Sequence, residues 1–182
     1  MALFRFKNPV ALGWLTKTVT KLPQSDLNHL TAEIGRLLDD IVPEIAEKIW
    51  DRWLKEYWEM RLLGIPRPLS QEEATNMVHW SLCLGQRLRE SLNLIQKMHG
   101  MVEFGHHDLL YRIEKKGISK SQPHETVELI LFFFKSAPKH FYPSKYIHEI
   151  WKDLKVGGIP SEVLKKIREA MLALGHDPEQ ES

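Results

Sequence analysis

An all-α fold is what the sequence predicts, and three observations predict it. Apolar residues recur at intervals of three and four along the chain, no segment sustains the apolar/polar alternation of a half-buried strand, and proline, glycine and small polar residues fall where helices start and stop. The 182 residues are 43% hydrophobic and 27% charged, which suits a folded chain that buries a core without disulfide staples. The expected architecture is about seven or eight helices in antiparallel hairpins, as a HEAT-like α-solenoid or an irregular bundle. It is read as a single domain over 1–175 with a frayed acidic tail over 176–182.

Each element follows from local signals. A basic amphipathic first helix within 1–25 starts near Pro9 and turns Leu12, Leu15, Val19 and Leu22 inward; its basic residues are Arg5, Lys7, Lys17 and Lys21, with no acidic residue before Gln24. Ser25 then caps a second helix from Asp26 to Leu38, with Leu27, Leu30, Ile34, Leu37 and Leu38 inward. Pro43 opens a third, where a missing N–H costs nothing, and Glu44 complements the positive end of its dipole. That helix runs to Leu63, where Gly64 stops it and Pro66 and Pro68 keep it from resuming. Ser70 and Glu73 form a capping box, in which Ser70 takes the Glu73 amide and Glu73 reaches back to the Ser70 amide. This box opens a long fourth helix carrying Met77, Trp80, Leu84, Leu88, Leu92 and Ile95. Shorter helices follow from His106 to Lys115, Pro123 to Ser136, Pro143 to Lys155 and Pro160 to Leu174, with glycine stops at 117, 157–158 and 175.

Composition excludes several classes of function. A net charge of +1 gives no reason to expect a polyanionic partner, and no apolar run approaches the ~20 residues of a membrane span. Cys83, the single cysteine, rules out an intrachain disulfide and sits in an apolar context that predicts an inert buried thiol, so a reducing cytoplasm is the expected location. His124-Glu125 and His148-Glu149 begin like zinc-protease helices, but Glu128 and Lys152 stand where the second histidine is needed. There is no serine-nucleophile elbow and no phosphate-binding glycine loop. No catalytic residue, cofactor or metal ligand is therefore assigned. Two alternatives stay open. One is a small enzyme whose site assembles from His106, His107, Asp108 and His148; the other is a nucleic-acid binder using the first helix with Lys115, Lys116, Lys120, Lys135 and Lys139.

The most distinctive segment is the tryptophan-rich third helix. Trp50, Trp53 and Tyr57 form one stripe and Leu54, Trp58, Arg61 and Leu62 the next, so more than half its circumference is apolar. That pattern predicts a central core helix; the other reading is an interface with Trp58, Arg61 and Arg67 as anchors for a protein partner or a second copy. Leu129 to Phe134 likewise reads as a buried helix.

The stretch Ile49-Trp50-Asp51-Arg52-Trp53-Leu54, the run from Tyr57-Trp58-Glu59 through Arg61-Leu62 and Gly64-Ile65-Pro66 to Pro68-Leu69-Ser70, and then Glu73, Met77 and Trp80 resemble a bacterial family of unknown function. Leu109-Leu110-Tyr111-Arg112 and Pro123-His124-Glu125 fit the same pattern, so the resemblance covers roughly residues 26–172. The family that the chain resembles is one commonly found as the C-terminal helical region of anti-phage defence proteins that carry a sirtuin-like, NAD-consuming domain upstream. The resemblance implies a noncatalytic sensor, scaffold or oligomerisation module that works through a protein partner or self-association. It supplies no catalytic residues to carry over. The chain is expected to be the C-terminal part of a larger effector protein or to act with a separately encoded one.

Overall fold

The computed structural model describes residues 17–99, 106–136, 145–175 and 177–179, and among them every regular element is helical. No helix among the described residues is long and apolar enough to cross a membrane. The chain divides into two compact units, Met1–Arg87 and Leu88–Ser182. Most of the expected first helix lies outside the described residues, although Val19 is fully buried.

In the first unit, α1 (Gln24–Asp39) buries Leu27, Ile34 and Leu38 as expected, with Thr31 beside them, while Leu30 and Leu37, also expected inward, are half-buried at the edge of that face. It packs on α4 (Gln71–Ser81), which buries Ala74, Met77, Val78 and Trp80. A polar seam fixes their register. Asn28 Nδ2 donates to Glu72 Oε2 at 2.7 Å, Ser70 Oγ to Asn28 Oδ1 at 2.7 Å, and the Trp80 indole N–H to the Thr31 carbonyl at 2.9 Å. Ser25 is not the cap. α1 begins two residues earlier, at Gln24 after Pro23, because Gln24 is drawn into the first turn by Asn28 (2.9 Å) and Glu73 (3.1 Å).

Between them, α2 (Pro43–Ile49), a π-helical turn (Trp50–Leu54) and α3 (Lys55–Leu62) form one continuous helix. The Lys55 amide bonds to the Trp50 carbonyl, five residues back, and so widens one turn. On an ideal α-helix, residues eight apart are turned from each other by about 80°. The wide turn takes up part of that offset, and Trp50 and Trp58 meet edge to face at 5.7 Å. Trp58 meets Trp80 of α4 edge to face at 6.2 Å, and Tyr57 lies 5.8 Å from Trp80. The third helix is therefore a core helix, with Trp50, Leu54 and Trp58 fully buried.

The expected long fourth helix is two. α4 ends at Ser81, and Gly85–Arg87 forms a short 3₁₀ turn before α5 (Leu88–Gln96). The Glu47 carboxylate accepts the Gln86 amide at 2.7 Å, and Arg87 pairs with Asp51 at 2.8 Å, so the preceding helix sets where the chain turns. Gly85 has φ +50°, and a β-carbon there would lie 2.4 Å from Glu47 Oε1.

In the second unit α5 packs on α8 (Pro123–Ser136), where Arg89 pairs with Glu128. Leu129, Ile130, Phe132 and Phe133 are buried, as the triple-phenylalanine segment predicts. α6 (His106–Lys115) packs on α9 (Lys145–Val156), with Tyr111 and Tyr146 5.2 Å apart. A one-turn helix, α7 (Ile118–Ser121), follows Gly117; Ser119 Oγ fastens it to Asp153 of α9 at 2.6 Å. α10 (Ser161–Ala173) buries Ile167 and Met171 and also packs on α8. Of the expected tail, residues 177–179 are described: Pro178 is buried and Asp177 and Glu179 are ion-paired.

Replacing Gly85 combines a left-handed backbone with a clash against a carboxylate that is itself engaged. Gly85→Ala is expected to destabilise the chain by about 1–3 kcal/mol, read as a lower urea midpoint. An unchanged midpoint would mean that the turn adapts without loss.

Candidate functional site

The densest polar constellation among the described residues surrounds Arg61, on the last turn of α3. An arginine among tryptophans must find its counter-charge inside the fold, since burying a lone guanidinium is prohibitive. The partner comes from the first turn of α4. Arg61 Nε donates to Glu73 Oε1 at 2.7 Å and Nη2 to Glu73 Oε2 at 2.8 Å, and both side chains are fully buried (0% exposed). Tyr57, one turn before Arg61, donates its hydroxyl to Glu73 Oε1 at 2.7 Å, and Gln24 of α1 donates to Oε2. The carboxylate on α4 thus accepts four hydrogen bonds from two other elements, α3 and α1.

Arg61 also holds the connector between the two helices. Its Nη1 donates to the Ile65 carbonyl at 2.6 Å and to the Arg67 carbonyl at 2.8 Å. The connector leaves α3 through a Schellman-type cap, in which the Gly64 amide bonds to the Arg61 carbonyl and the Ile65 amide to the Met60 carbonyl, with Gly64 at φ +74°. The Ile65–Pro66 bond is cis. Arg67 Nη2 donates to the Leu22 carbonyl at 2.7 Å, which ties the loop to the entry of α1. On the outer side Leu63 is 78% and Ile65 45% exposed.

The electrostatics follow from this packing. Burial pushes the Glu73 carboxyl up, but the hydrogen bonds and charge of Arg61, with the bonds from Tyr57 and Gln24, hold it below the usual carboxylate range. Burial, reinforced by the charge of Glu73, pushes the Tyr57 phenol well above its ordinary value. Burial opposes the charge on Arg61, and Glu73 more than restores it. A charge-matched cluster of this kind organises structure: Arg61 holds Glu73 and two connector carbonyls, and Glu73 in turn holds Tyr57 and Gln24.

The three expected anchors have distinct places. Trp58 and Arg61 are fully buried, so within this chain they grip the core and the connector rather than a surface. Arg67 is half-buried at the base of the loop. The Trp58 indole N–H is buried without a hydrogen-bond partner. Of the capping box, Ser70 does accept the Glu73 amide at 3.2 Å, whereas the Glu73 carboxylate turns inward to Arg61 and Tyr57. Tyr57 and Gln24 belong to the cluster although their sequence context marked neither; the usable signal was an arginine on an otherwise buried stripe.

Of the candidate enzyme residues, the side chains of Asp108 and His148 are described, and each has a partner of its own. Asp108 pairs with Arg112 at 3.2 Å on the same helix, and His148 donates to the Pro178 carbonyl at 3.3 Å. The side chains of His106 and His107 lie outside the described residues. No group of three or more His, Cys, Asp or Glu among the described residues could hold a metal ion. Of the lysines proposed for nucleic acid, Lys115 lies over the Tyr111 ring at 5.4 Å and Lys120 is 3.9 Å from Asp153, while Lys139 is outside the described residues. Cys83 is buried beside Asp39, as its context predicts.

Arg61→Met strands a buried carboxylate and is expected to destabilise the chain by about 3–5 kcal/mol, whereas the Arg61→Met/Glu73→Leu double variant should recover much of that loss. Equal urea midpoints for the two would disprove the pairing as the source. Because the folded carboxyl is depressed, its contribution is complete above the unfolded value of about 4.3 and is lost as pH falls through the folded one. Glu73→Gln should therefore be less stable than the parent at neutral pH and converge with it on acidification.

No curated protein and no solved structure matches the chain. Residues 32–171, which run from α1 to α10 and include Tyr57, Arg61, Glu73 and the connector, match the family model described as a domain of unknown function (DUF4020), and the chain belongs to that family.

Proposed function

We propose that the chain is a noncatalytic helical protein-interaction module, a sensor or scaffold, that serves bacterial anti-phage defence as the C-terminal part of a larger effector or beside a separate one. The observation that carries the interaction reading is the connector. Arg61 holds the Ile65 and Arg67 carbonyls from inside while Leu63 and Ile65 stay exposed outside. A loop fixed in this way offers apolar contact with little ordering entropy left to lose on binding. The charged cluster beneath it is committed to holding that loop, which supports a mechanical role over a chemical one. The defence setting rests on the family resemblance of the tryptophan helix and its connector, and a protein partner or self-association follows from it.

The test is capture of the tagged chain from cells under phage challenge, with its self-association measured in parallel. Leu63→Asp/Ile65→Asp should leave the urea midpoint within about 0.5 kcal/mol of the parent, because both positions are exposed. The same variant should weaken capture or self-association by about tenfold or more. A folded parent with neither partner nor self-association, or full binding by the double variant, overturns the reading.

A further inference from the structure

A second polar constellation lies in the second unit, where α9 and α10 hold residues 177–179. Arg168 reaches two carboxylates at once, with Nη2 3.1 Å from Asp177 Oδ2 and Nη1 2.9 Å from Glu179 Oε2. Lys155 takes the other Glu179 oxygen at 3.0 Å and lies 5.4 Å over the Trp151 ring. His148 Nδ1 donates to the Pro178 carbonyl, and the Glu179 amide returns to Asp177 Oδ1 at 3.1 Å. A cation, a forked cation and a ring N–H thus read two carboxylates spaced two residues apart and the carbonyl between them.

The fit leaves donors unused. Arg168 Nε and Trp151 Nε1 are buried without a hydrogen-bond partner. The ion pairs are partly exposed, and such pairs are worth only about 0–1 kcal/mol each, so the tail is held by contacts that another acidic segment could displace. We propose that the cradle of His148, Lys155 and Arg168 is a docking surface for an acidic segment of another protein, with carboxylates two residues apart, and that the chain's own Asp177-Pro178-Glu179 occupies it as a displaceable stand-in. This deepens the interaction-module reading and rests on it only for the existence of a protein partner.

The test uses the full chain and a fluorescent peptide of residues 174–182, read by anisotropy. The attached tail competes at an effective concentration of order millimolar, so Asp177→Asn/Glu179→Gln, which releases it, should bind the peptide about tenfold or more tighter than the parent. Adding Arg168→Glu should abolish binding, and rising salt should weaken it. Circular dichroism and urea midpoints confirm that each variant is folded. Equal affinity in parent and double variant, or binding that survives Arg168→Glu, overturns the proposal. Tail-dependent dimers of the parent would assign the cradle to a second copy and overturn it as well. Loss of peptide binding in every variant, with connector-dependent capture intact, rejects the cradle and leaves the module reading standing.

Discussion

The buried pair between Arg61 and Glu73 sets the conditions for the first unit. A guanidinium with no exposed surface can be tolerated only if every donor has an acceptor, and here those acceptors come from separate elements: the carboxylate on α4 and two carbonyls of the connector. Fixing Arg61 therefore fixes where α4 starts relative to the end of α3. The Tyr57 hydroxyl and the Gln24 amide complete the carboxylate and bring α1 into the same arrangement. A charge pair that contributes little net stability can still select one geometry, because each alternative strands a charge.

Around this pair the aromatic residues supply the apolar area. The π turn at Trp50–Leu54 brings Trp50 and Trp58 together, and Trp58 and Tyr57 then reach Trp80 on the neighbouring helix. Edge-to-face contacts of this sort have a narrow geometric preference, so the widened turn and the ion pair reinforce one arrangement of α3 against α4. What faces outward is the connector, whose exposed Leu63 and Ile65 are held by bonds made inside.

Much of this was legible before any coordinates. Pro43, Gly64, Ser70 and the periodicity of Leu27, Ile34 and Leu38 placed helices because capping and one-sided burial are local properties. Leu129 to Phe134 announced a buried helix by composition alone, and Leu129, Ile130, Phe132 and Phe133 are buried while Leu131 and Phe134 are half-buried. The misreadings share a cause. Ser25 lost the cap because Gln24 is recruited by residues far along the chain, and the long fourth helix broke because Glu47 captures the Gln86 amide. In each case a distant hydrogen bond outweighed a local preference, and no window of neighbouring residues contains that bond. The ion pairs of Asp177 and Glu179 escape a local reading as well, because their cations, Lys155 and Arg168, lie on the two preceding helices.

The tryptophan helix and its connector show where the two kinds of information divide. Periodicity, caps and motif residues are all written along the chain, so they suffice to show that it is helical, that this helix is central, and which family it resembles. That Arg61 is buried as a strut within this chain, that Glu73 turns from its own cap to Arg61, and that Arg168 gathers residues 177–179 emerge only from the folded arrangement. The physical reason is the same throughout. A charged side chain's role depends on its counter-charge and its access to water, and both are set by elements that meet only when the chain has folded.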